Sequence, residues 1–126
     1  MIRSYLLLLA GLLLYSCSAD QDIWLPAPQS WQDITIRMET RPMPIRKGMN
    51  EFILIANHQQ RGFVNDLLVE VHTEHSSWKQ AMPDGALGVF RRALPVENVL
   101  HDHLYVRLTR RGQHYEMIFP FAPAQP

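Results

Sequence analysis

The side chains most capable of chemistry here are histidines. The chain has six in 126 residues, and His101-Asp102-His103 is the densest group. In an extended backbone His101 and His103 fall on one face, about 6.6 Å apart along the strand. Two imidazoles so placed can share a metal ion, with Asp102 pointing away or orienting a ring. His72 and His75 form a second pair, and Met82 follows nearby in sequence. Imidazole with thioether suits copper(I) in an oxidising compartment. The candidate metal ligands are therefore His101 and His103, then His72 or His75, with copper the candidate ion. The competing reading needs no metal. His103 shares parity with Tyr105 and Arg107, and histidines at strand starts commonly face solvent.

Other reactive groups do not assemble in the sequence. Asp66, Glu70 and Glu74 share parity along part of one strand, but no second carboxylate must face them, so a glycosidase-type pair cannot be argued. Ser76 and Ser77 follow His75 without a Gly-x-Ser-x-Gly elbow. The runs "RGQ" and "DGALG" read as turns, not phosphate loops. No catalytic residue is assigned, and the chain reads as a binding protein rather than an enzyme. Met38 and Met117 have core parity. Met43 and Met49 flank a turn, either packing at the surface or offering a methionine-rich copper contact. The doublets Arg91-Arg92 and Arg110-Arg111 each split across two faces. They serve either as a charged guard on a sheet edge or as a patch for an acidic partner or lipid headgroups.

The single cysteine, Cys17, stands at the end of an apolar block, Leu6 to Leu14, behind the basic Arg3. That block is about half of the roughly 20 residues needed to span a bilayer, and it reads as a secretory signal. The run Leu14-Tyr15-Ser16-Cys17 resembles the bacterial lipoprotein signal, with an aliphatic residue three before the cysteine and a small one just before it. The resemblance implies cleavage before Cys17 and acyl chains, palmitate among them, on its sulfur and new amino group. Two or more chains give stable anchoring, at roughly 0.8 kcal/mol per buried methylene. An ordinary cleaved signal or a short uncleaved anchor is the alternative. Ser18, rather than Asp, after the cysteine implies the periplasmic face of the outer membrane, with the inner membrane the alternative. A lipidated Cys17 would leave no thiol for nucleophilic catalysis, thiolate zinc or redox exchange.

Charge narrows the partners. Twelve basic and twelve acidic residues balance, and loss of Arg3 with the signal leaves a net charge of −1 on 110 residues. No basic excess exists to hold nucleic acid. A chain of that length suits one domain with one core. The anchor would make the membrane a partner; together with the fold pattern and the family resemblance given below, it makes an envelope membrane-protein complex the further candidate.

The elements that must position these groups have a period of two. In "DITIRMET", Ile34, Ile36 and Met38 alternate with polar residues. "NEFILIAN" is apolar on both faces, as a central strand requires. In "DLLVEVHTE", Leu67, Val69 and Val71 point inward and Leu68, Glu70 and His72 outward. "ALGVFRRAL" is a further strand, and Gly88 is a candidate bulge. "LPVEN" reads as a connection. "HLYVRLTR" buries Leu104, Val106 and Leu108, "RGQ" turns the chain, and "QHYEMIFPF" directs Tyr115, Met117 and Phe119 inward. The expectation is an all-β, Ig-like antiparallel sandwich of six or seven strands. The domain plan is a signal over 1–16, a lipidated tether over 17–30, the sandwich over 31–121 and a proline-rich tail over 122–126. In the tether, Trp24 and Leu25 either pack on the domain or touch the membrane interface.

The stretch "PIRKGMNEFILIANHQQRGFVNDLLVEV", with "DGALGVFRRAL" and "LYVRLTRRGQHYEMIFPF", resembles the YtkA-like and FixH-like periplasmic domains. Gly48 and Asn50 match the approach to a strand, and Gly62, Val64 and Asp66 match the loop after it. The family tends to have a Gly-Trp pair before the penultimate strand, where this chain has "LHDHLYV". The resemblance covers about two-thirds of the chain after Cys17. It implies a small Ig-like domain with a binding or assembly role beside respiratory oxidase or copper-handling systems.

Overall fold

A computed structural model describes residues 23–59, 62–64, 66–85 and 88–125. Cys17 and the expected signal lie outside them. Among the described residues ten strands form two antiparallel sheets: β1 (Gln29–Trp31), β2 (Ile34–Arg41), β3 (Gly48–His58), β4 (Gly62–Phe63), β5 (Leu68–His72), β6 (Lys79–Gln80), β7 (Met82–Pro83), β8 (Val89–Val96), β9 (His103–Arg110) and β10 (Gln113–Pro120). The larger sheet runs β1-β2-β3-β8-β7, with β4 paired to the end of β3, and the smaller runs β10-β9-β5-β6. The strands β2, β3, β8 and β7 take the places of A, B, E and D in an immunoglobulin-type sandwich, and β5, β9 and β10 those of C, F and G. The all-β, Ig-like reading is therefore correct. Six strands have five or more residues; the other four are short edge pieces.

Alternation explains the two layers. Ile34, Ile36 and Met38 of β2 face Val69 and Val71 of β5 and Leu104, Val106 and Leu108 of β9 across one core. Each such side chain contributes about 1.5–3 kcal/mol when fully buried. The single cysteine excludes an internal disulfide, so these two inward faces carry the fold. The central position of β3, between β2 and β8, accounts for its apolar run: Ile53, on the outward parity, is still buried.

Local devices fix the ends. The β9-β10 hairpin turns through Arg111 and Gly112, with φ of 52° and 76°, the positive values a two-residue type I′ turn requires. Asn50 is buried, and its side chain closes the β2-β3 loop. Its Oδ1 accepts from the Arg46 N–H at 3.1 Å, and its Nδ2 donates to the carbonyls of Arg46 and Gly48 at 2.6 and 3.1 Å.

Several boundaries differ from the sequence reading. Strand β8 runs on through Pro95 and Val96, where a connection was expected. The Pro95 carbonyl accepts from Thr73 Oγ1 at 2.7 Å, away from β3. A strand residue's N and O point the same way, so the proline nitrogen faces the open edge, where no donor is needed. Strand β1 starts at Gln29, within the stretch read as a tether, and Pro26 is buried. Trp31 of β1 stacks on Tyr115 of β10, ring centres 5.6 Å apart, so Tyr115 keeps inward parity but remains exposed at the sheet edge. Phe121 ends the core against Phe52, at 5.4 Å.

Candidate functional site

The outward face of the smaller sheet gathers most of the chemistry. Parity puts Glu70 and His72 of β5 beside Arg107 and Tyr105 of β9 in direct register. The His72 ring stacks on Tyr105, centroids 4.4 Å apart and nearly parallel, and meets the edge of Trp78 at 4.3 Å. The Arg107 guanidinium lies 4.3 Å from the Trp78 ring centre, a cation–π contact. It also grips Glu70 through two hydrogen bonds, of 3.1 and 2.9 Å. These hydrogen bonds from Arg107 hold the Glu70 carboxyl below its ordinary range.

Glu74 extends this face from the loop after β5. One carboxylate oxygen accepts from the His103 backbone N–H at 2.8 Å. The other faces His103 Nδ1 at 2.8 Å and accepts from the Tyr105 hydroxyl at 3.0 Å. Partial burial raises the Glu74 pKa, but the His103 and Tyr105 hydrogen bonds outweigh it and the net shift is downward. The same carboxylate raises Tyr105, first because the phenolic proton is held in the hydrogen bond to Glu74 and then because losing it would put two anions together.

Asp102 is a structural acid at the sandwich end. Its Oδ2 accepts the N–H groups of Glu97 and Asn98 at 2.9 and 3.0 Å and lies 3.2 Å from His75 Nε2. Burial pushes its pKa up, and the two N–H groups and His75 overcome this to hold it low. At the opposite end the buried Arg110 spans Asp33 at 2.9 Å and Asp66 at 3.1 Å. Hydrogen bonds from Arg110 and His58 lower Asp33 to about 2. Thus Asp66, Glu70 and Glu74 each meet a nitrogen base from β9.

The four candidate metal histidines are separated by these pairings. His103 begins β9 against Glu74, His72 is enclosed by Tyr105 and Trp78, and His75 faces Asp102. His101 lies exposed in a turn closed by its own N–H on the Asn98 carbonyl, at 3.2 Å. The extended backbone that would align it with His103 is absent there. Met82 belongs to the other sheet, in an open groove with Met49. Among the described residues no group of three or more His, Cys, Asp or Glu is arranged to hold a metal.

The face of Trp78, His72, Tyr105, Arg107, Glu70 and Glu74 is half-buried and internally hydrogen-bonded. Sequence parity marked the outward positions on β5 and β9. It gave no sign of Trp78, which reaches the sheet from a loop. No family model, curated protein or solved structure matches the chain.

Proposed function

We propose that the chain is a lipid-anchored envelope lipoprotein whose Ig-like domain is a non-catalytic binding module. It serves as an accessory or assembly factor for a membrane complex of the respiratory oxidase or copper-handling kind. The lipoprotein-like signal at Cys17 supports the anchor and the periplasmic location. The resemblance to the YtkA-like and FixH-like domains supports the pathway.

The observation that carries the binding role is the Trp78, Tyr105 and Arg107 face. Tryptophan, tyrosine and arginine dominate interface energetics. Here the Glu70 and His72 contacts already fix them, so binding loses little side-chain entropy. The test is crosslinking and affinity isolation from solubilised membranes. A named integral-membrane complex should be recovered with wild type and lost with Trp78→Ala or Arg107→Ala. Equal recovery with both variants would dismiss this face.

A copper site at His103 is the second reading. Glu74 on Nδ1 leaves Nε2 outward, the arrangement in which a carboxylate orients a metal-ligating imidazole. His101, in the adjacent turn, is the next candidate ligand, whereas His72 is stacked on Tyr105 and His75 faces Asp102 in this arrangement. Titration with copper(I) and copper(II) decides it: binding unchanged by the double variant His101→Ala, His103→Ala rejects these ligands.

A further inference from the structure

One end of the sandwich gathers half of the exposed large apolar side chains among the described residues. Four segments converge there: 23–26, the β2-β3 loop, the β8-β9 turn and the chain after β10. Between them lies an apolar cleft of about 150 Å³, walled in part by Trp24, Leu25, Met43 and Val99. Around it Ile23, Trp24, Leu25, Met43 and Leu100 are each 41–58 % exposed. Arg41 at the end of β2 and Arg46 and Lys47 in the β2-β3 loop add exposed cations.

Cations predominate in the described segments at this end. Segments 23–28, 41–48, 98–101 and 121–125 hold those three cations and His101, with no carboxylate. The carboxylates near this end are Glu51, opposite Arg41 in register and paired with Arg91, and, on the flank, Glu74, Glu97 and Asp102, facing His103 and His75. Apolar side chains, a tryptophan and a rim of arginine and lysine are what a bilayer interface selects. Anionic headgroups attract such cations.

Chain length supplies the second argument. Only five residues separate Cys17 from Ile23, so the sulfur lies within about 25 Å of this end whatever their conformation. The opposite end, with the Arg111-Gly112 turn, is a full strand length farther away.

We infer that this end is a membrane-contact surface, resting on the bilayer that carries the anchor, with Trp24 and Leu100 at the headgroup level and Arg41, Arg46 and Lys47 on anionic lipid. The inference rests on the lipoprotein reading of Cys17. It gives the domain a fixed orientation, with the Trp78-Arg107 face turned sideways to a neighbour in the same membrane.

The test couples the chain from Cys17 onward, which contains every described strand, to a maleimide phospholipid through its only thiol. The vesicles contain phosphatidylethanolamine, phosphatidylglycerol and a spin-labelled quencher lipid. Trp24 is one of three tryptophans, so its contact with the interface should quench roughly a third of the emission. Trp24→Phe should remove that quenching. Arg46→Glu with Lys47→Glu should reduce it. No quenching in wild type, or quenching that survives Trp24→Phe, overturns the inference. Mass spectrometry of the native N-terminus tests acylation separately. Its failure would remove the lipoprotein reading, while the coupled chain would still report on the surface.

Discussion

Glu74 holds His103 twice, through the backbone N–H and through ring Nδ1, each at 2.8 Å. A loop after β5 is thereby fastened to the first residue of β9. Glu74→Ala removes both contacts and the Tyr105 hydroxyl bond. These groups are partly solvated, so the loss should be about 1–2 kcal/mol, measured by urea denaturation. Glu74→Gln keeps an acceptor and should lose less. Equal losses would mean that the fastening depends on the carboxylate charge rather than on an acceptor alone, and no loss in either variant would mean that these contacts contribute nothing.

Asp102 should be costlier to remove. It is buried and satisfies the Glu97 and Asn98 N–H groups. Asp102→Ala strands both donors, at about 2–3 kcal/mol. Amide exchange at Glu97 and Asn98 should accelerate in the same variant. Unchanged protection would contradict the assigned bonds.

Acid should unfold the domain in a defined direction. Asp33, Asp66, Glu70, Glu74 and Asp102 all have folded pKa values below their ordinary ones. The folded state therefore binds fewer protons than the unfolded state through this range. The stabilisation is complete above the ordinary carboxylate values, 3.8 for Asp and 4.5 for Glu. It is lost as pH falls from there toward about 2, where Asp33 protonates. Melting temperature measured from pH 6 to pH 2 should be flat at first and then fall. Arg110→Met should blunt the Asp33 and Asp66 part of that fall.

Phe121 should behave as core although it lies beyond the last strand. It stacks on Phe52 and is nearly fully buried. Phe121→Ala should cost about 3–4 kcal/mol, and truncation after Pro120 should cost at least as much. A chain ending at Pro120 with wild-type stability would place this residue outside the core.

Gly112 tests the hairpin. Nothing lies within 4 Å of an added Cβ, so only its φ of 76° resists a side chain. Gly112→Ala should destabilise by about 1 kcal/mol. Arg111→Asn, at φ 52°, should stabilise by a few tenths, since asparagine tolerates this region better. Both are read from chemical denaturation midpoints.

The sequence by itself determined the class of fold, the inward side chains and the closing hairpin. These follow from a period of two and from turn residues, which act between near neighbours in the chain. Ile34 to Met38, Val69 to Val71 and Leu104 to Leu108 were legible for that reason. Tertiary structure alone decided which outward groups meet. Glu74 and His103 are 29 positions apart, and Glu70 and Arg107 are 37. Parity gives each of them a face, but strand order and register choose its neighbour. The same pairing separated the histidines that spacing had grouped: a turn at Val99 to His101 broke the extended backbone on which their alignment depended. Trp78 and the apolar end were illegible for a related reason. Loop side chains have no period, and segments 23–26, 41–48 and 98–101 become one surface only when the two sheets close.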